Sequence, residues 1–209
     1  MAIEALETIG IGADATADDL RGISAQTFAA SEPLRAGFFF TPDDSFKPTS
    51  TIAALRAGEE IDVPLLVGSN QGEGGFRGAR TFASLAGDEG APAFLYRFDH
   101  TPAFREGEWT KGPIHSAELM FTFDSIDQST WGGERADQAD RTLASTVNEC
   151  WVAFVKMAPG ARSFECGAGF EWQPYRPGGD VALIETRGLR MAPADGLPDG
   201  PEEEEAASP

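Results

Sequence analysis

Hydrophobic and polar positions along the chain fall into short periodic blocks separated by glycine- and proline-rich breaks. Residues 2–9 carry Ile3, Leu6 and Ile9 at helical spacing and predict a short amphipathic helix. Gly10 and Gly12 stop it, and Thr16 or Asp18 is placed to cap a second helix through Leu20 to Ala30, ended before Pro33. Residues 38–48 are turn-rich, and 51–57 predict a short helix closed at Gly58. The apolar run at 63–67 suits a strand buried on both faces of a parallel sheet. A weaker helical pattern covers 76–86, with Phe82 and Leu85 as the packing residues. Residues 93–99, rich in aromatics, predict a second parallel strand. The clearest helix spans 137–157, where Leu143, Val147, Cys150, Trp151, Phe154 and Val155 recur at three- and four-residue spacing. A last short strand is expected at 181–184. The fold class expected is α/β.

Composition adds bounds to that picture. A chain of 209 residues, 41% hydrophobic and 24% charged, can bury a sizeable core, and no repeat or linker divides it. The expectation is one domain over 1–190 followed by a disordered acidic tail over 191–209, rich in Pro, Gly, Ala and acid. The net charge of −18 argues against nucleic acid and anionic membrane as partners, because both demand cationic patches. No apolar run reaches the roughly 20 residues of a bilayer-spanning helix. The first residues lack the basic head and long apolar core of a secretory signal, so the cytoplasm is the default and the compartment stays open. Cys150 and Cys166 are expected as free thiols, with a disulfide between them as the alternative.

Candidate chemistry gathers in two stretches. Past the run at 63–67 come Gly68-Ser69-Asn70 and then Glu73, held between Gly72 and Gly74. A lone acid in a glycine-rich loop beyond the carboxyl end of a buried strand is where open α/β sheets place their chemistry. The second stretch, 111–119, holds His115, one of only two histidines. The other, His100, sits beside Asp99 with no motif around it and reads as a surface residue. Gly10, Gly12 and Ala15 match a dinucleotide fingerprint in form, but they follow a helix pattern rather than a strand. His115-x-x-Glu118 lacks the second histidine of a zinc signature, since Leu119 stands in that place. The pattern calls for no metal and no cofactor.

Together the two stretches resemble the type B carboxylesterase family, the cholinesterase-like branch of the α/β-hydrolases. Val63-Pro64-Leu65-Leu66-Val67-Gly68 and Asn70-Gln71-Gly72-Glu73-Gly74 match the family's V-P-L-x-x-G strand and N-x-x-E-G loop. His115-Ser116-Ala117-Glu118-Leu119 matches its H-x-x-E-L signature, and the resemblance runs from roughly Ala5 to Ile184. By this resemblance Glu73 is the acid and His115 the base of a catalytic triad, with Glu118 supporting the loop or the imidazole. Trp151 and Phe154 match the family's final packing helix, and Trp172 and Tyr175 its closing turn.

The chain departs from the family in two respects. No G-x-S-x-G elbow occurs in it; Gly22-Ile23-Ser24-Ala25-Gln26 is nearest and lacks the closing glycine. The glycine-rich stretch that supplies oxyanion-hole donors is absent too. His115 follows Glu73 by 42 positions, fewer than the family has, so part of the substrate gorge is missing. The resemblance therefore implies the C-terminal part of an α/β-hydrolase sheet with packed helices, without the nucleophile-elbow half. It would be a truncated carboxylesterase, inactive alone, whose partners are a missing N-terminal half and, once completed, a small carboxylic ester. The alternatives are half of a split enzyme and a non-catalytic, cholinesterase-like binding module.

Overall fold

The computed structural model describes residues 2–32, 49–87 and 90–200. The turn-rich stretch expected at 38–48 and the acidic run at 202–205 lie outside the described residues. The chain divides into two compact units, Met1–Thr51 and Ile52–Pro209.

The described residues of the first unit include the short helices α1 (Ala2–Glu7), α2 (Ala17–Arg21) and α3 (Ala25–Ala30). The single helix expected through Leu20 to Ala30 is broken in two, because Gly22 ends α2 and the Ser24 side chain accepts from the Thr27 N–H to start α3. Thr16 caps α2 as expected, in a reciprocal pair with Asp19. Helix α4 (Thr51–Ala57) begins at the boundary between the units.

The second unit is built on a four-stranded, mostly parallel sheet in the order β1-β2-β5-β6. Strand β1 (Leu65–Asn70) runs parallel to β2 (Ala93–Phe98), and β2 is parallel to β5 (Asp180–Glu185). Strand β6 (Gly188–Pro193) returns antiparallel to β5. Between β1 and β2 lies α5 (Phe76–Ala86); between β2 and β5 lie α6 (Leu119–Thr122), α7 (Gln138–Val155) and a small hairpin, β3 (Phe164–Cys166) with β4 (Phe170–Trp172). The class is α/β.

Strand alternation fills both faces. Ala93 and Leu95 of β2 pack with Phe76, Ala79 and Ala83 of α5, whereas Phe98 packs with Leu143, Ala144 and Val147 of α7. Phe94 meets Cys150, Phe164 and Trp172 on that second side. Burial of each large apolar side chain contributes about 1.5–3 kcal/mol. The packing face of α5 is thus Phe76, Ala79 and Ala83, and Phe82 and Leu85 are only partly covered. A charged residue, Arg97, enters this core at 1% exposure, pairs with Asp99 at 2.8 Å and lies over the Phe76 ring.

Three expectations need correction. The strand expected at 63–67 starts two residues later, and its apolar side chains are only half-buried: Leu65 and Val67 pack on one side and Leu66 on the other, while Ile61 and Val63 ahead of it are exposed. Cys150 and Cys166 form a disulfide, because the β3–β4 hairpin folds back on α7 and sets Cys166 beside Cys150. The ordered chain also continues past 191. Strand β6 runs to Pro193, and beyond it Asp195 pairs with Arg80, Arg97 donates to the Pro198 carbonyl, and Asp199 accepts from the Arg77 N–H. Arginines on α5 and β2 thus give this acidic segment the partners that its composition did not reveal.

Candidate active site

Strand β1 ends at Asn70, and the chain turns at once into a single 3-10 turn, Gln71–Glu73. That turn is set by its own side chain: Glu73 Oε1 accepts from the Asn70 N–H at 2.9 Å. The same carboxylate's other oxygen, Oε2, lies 2.5 Å from Nδ1 of His115. A carboxylate only accepts, so Nδ1 carries the proton and Nε2 is left as the nitrogen that exchanges one. The two residues singled out in the sequence meet, at the carboxyl end of a parallel strand.

The loop bearing His115 is bound to β1 by backbone and side chain. Gly72 N–H donates to the Pro113 carbonyl at 3.0 Å. The approach is so close that a Cβ on Gly72 would sit 2.5 Å from the Gly112 oxygen, which leaves glycine the only fit. Asn70 Nδ2 donates to the Ile114 carbonyl at 2.8 Å and to the Glu118 carboxylate. Glu118 therefore reaches the loop through Asn70, which ties it to the end of β1. Ser116, next to His115, adopts φ 67°, a left-handed conformation that a non-glycine residue holds only when its surroundings impose it.

Electrostatics follow from this packing. The hydrogen bond and charge of Glu73 raise the His115 pKa, and the Glu118 charge adds to the effect. His115 remains 87% exposed while Glu73 is 23% exposed. Tyr96 of β2 lies nearby, its ring against β1 where Gly68 offers no Cβ, and burial together with the Glu118 and Glu73 charges holds its phenol far above the ordinary value. Asn70 and Tyr96 belong to this neighbourhood, although sequence reading did not single them out. The signal for Asn70 was its place at the head of the loop motif.

His100 is not a surface residue. It is 2% exposed, with Nε2 2.8 Å from Asp140 Oδ1 and Nδ1 3.0 Å from Thr186 Oγ1. The helix pattern that predicted α7 did not show that its N-terminal Asp140 would reach back to the end of β2.

Among the described residues, no cluster of three His, Cys, Asp or Glu side chains is placed to hold a metal ion, and no helix is long and apolar enough to cross a membrane. No protein-family model matches the chain. No curated protein matches it either.

Proposed function

We propose that this chain carries the acid and the base of a serine-type carboxylic ester hydrolase, and that its sheet is the C-terminal part of an α/β-hydrolase sheet. The observation that carries the reading is the Glu73–His115 contact at 2.5 Å, made by two motifs that arrive in the order acid, then base. In such an enzyme a hydroxyl attacks the ester carbonyl, the imidazole takes its proton, and the same imidazole returns a proton to the leaving alcohol. Glu73 would hold the tautomer with the proton on Nδ1 and stabilise the imidazolium that forms.

The hydroxyl and the oxyanion donors are not in this sequence, and without them most of the stabilisation of such a mechanism is lost. The exposure of His115 supports the same reading, because a general base of this kind works where water is excluded. So does the edge position of β1, whose exposed approach through Ile61 and Val63 offers a surface for further protein. By itself the chain is therefore inactive, and its partner is the missing nucleophile-bearing half. The completed site would take a small carboxylic ester.

The test is direct. The isolated chain, incubated with short p-nitrophenyl esters, should give no serine-dependent turnover. Turnover abolished by a fluorophosphonate that labels a serine of this chain would overturn the claim of inactivity.

A further inference from the structure

A hydroxyl–imidazole–carboxylate chain exists elsewhere in this protein, and it shares no residue with the Glu73–His115 pair. Asp140 opens helix α7 as part of a reciprocal cap with Asp137: its Oδ2 accepts from the Asp137 N–H at 3.0 Å. Its Oδ1 faces His100 Nε2 at 2.8 Å. A carboxylate oxygen only accepts, so the proton of the neutral imidazole is on Nε2 and Nδ1 is bare. A bare ring nitrogen only accepts. The Thr186 hydroxyl, 3.0 Å from Nδ1, is therefore the donor, with its proton already directed at a base.

The three residues differ in exposure in the way a reactive centre requires. Asp140 and His100 are buried, and Thr186, at the turn between β5 and β6, is exposed. The imidazole is held edge-on by Phe121 at 5.2 Å and by Phe98 at 6.3 Å, so its plane is fixed by packing. Thr186 lines a cleft of about 640 Å³ whose walls mix Leu143, Phe170 and Leu189 with Thr142 and Arg187, room enough for a short acyl chain. A structural role asks only for a bonded hydroxyl; it does not ask for that residue to line a cleft.

We propose that Thr186 is a nucleophilic centre that accepts short acyl groups from activated carboxylic esters, with His100 as its base and Asp140 as the residue that positions that base. Thr186 Oγ1 bonds to the carbonyl carbon, and the bond from that carbon to the leaving oxygen breaks. The threonine proton passes to His100 Nδ1 and then to the departing alkoxide or phenoxide, which restores the neutral imidazole. The product is O-acyl-Thr186 and a free alcohol. The step is stoichiometric and independent of the esterase reading of Glu73 and His115.

His100 is kept neutral, and so able to act as a base, chiefly by burial, which lowers its pKa. The charged groups facing it, Asp140 and Asp137 of α7, oppose that shift without reversing it, and its other neighbours are the Phe98 and Phe121 rings and the Thr186 hydroxyl.

The experiment is to treat the full chain with p-nitrophenyl acetate and to map acetyl groups by peptide mass spectrometry over time. Thr186 should acquire one acetyl about a hundredfold faster than any other Ser or Thr hydroxyl, the gain expected of a positioned general base. Thr186→Ala should remove that fast site, Thr186→Ser should keep it, and His100→Asn should slow it to the level of the other hydroxyls. The wild-type rate should also fall as pH is lowered through the titration of His100, a readout that does not depend on how well the buried-site variant folds. Acetyl groups confined to lysines and other exposed side chains would overturn the proposal. So would a Thr186 rate that ignores pH, or one unchanged in a folded His100→Asn protein.

Discussion

The imidazole of His115 takes up a proton more readily than a histidine in water, because Glu73 both hydrogen-bonds the cation and neutralises it. His100 is moved the other way, chiefly by burial, despite its carboxylate partner. The consequences for stability have opposite signs. The His115 pair contributes stability that is fully present below the ordinary histidine pKa of about 6.5 and is lost as pH rises through the raised folded value. Its exposure keeps that contribution small. His100 must charge on acidification, so the folded state loses stability as pH falls from the ordinary value towards its lowered one. Since the sequence has only two histidines, an imidazole NMR titration separates them cleanly. The expected outcome is one midpoint above the ordinary value and one below, with Glu73→Gln lowering the upper midpoint and leaving the other in place. An upper midpoint unmoved by Glu73→Gln would dissolve the pair.

Two elements hold the candidate site together, the turn after β1 and the loop that carries His115, and they touch through Gly72. A Cβ there would meet the Gly112 oxygen at 2.5 Å and the Pro113 oxygen at 2.9 Å, both of them backbone atoms that cannot swing aside. Gly72→Ala should therefore cost about 1–3 kcal/mol in urea unfolding, as overpacking does. It should also push the His115 NMR midpoint back towards the ordinary value as the loop moves off Glu73. The disulfide is the other cross-connection, closing a sequence separation of 16 between α7 and β3. Replacing both cysteines by serine should destabilise the protein by about 3 kcal/mol, the entropy of a loop of that size, and a non-reducing thermal melt measures it. The most legible elements were those whose signal is local. The helix expected at 76–86 appears as Phe76–Ala86, and the strand expected at 93–99 as Ala93–Phe98. The apolar spacing of 137–157 marked α7 (Gln138–Val155), with Asp137 as its cap. What stayed hidden depends on contacts distant in sequence: the edge position of β1, the fold-back that joins Cys150 to Cys166, and the burial of His100 under Asp140 and Thr186. Hydropathy was a partial guide at α5, where small Ala79 and Ala83 are buried because they let the helix approach the sheet, and bulkier Phe82 and Leu85 are only partly covered.

At the scale of the molecule the question is whether the Glu73–His115 pair belongs to a larger catalytic unit. The pair sits at the carboxyl edge of parallel strands, with an exposed imidazole and with β1 at the edge of the described sheet. A chain so arranged should lack turnover alone and gain it when a nucleophile-bearing half docks. The most direct measurement is to co-express this chain with an upstream hydrolase half bearing a serine elbow, or to fuse the two, and to assay a simple p-nitrophenyl ester. Turnover is expected in the completed protein, and His115→Ala should lower it by on the order of 10⁴-fold or more, because triad members act as a unit. Glu73→Gln should cost less, since the imidazole remains but loses its oriented tautomer and its compensating charge. A completed protein that folds and works equally well with Ala at position 115 would refute the triad assignment, and His115 would then be a structural residue.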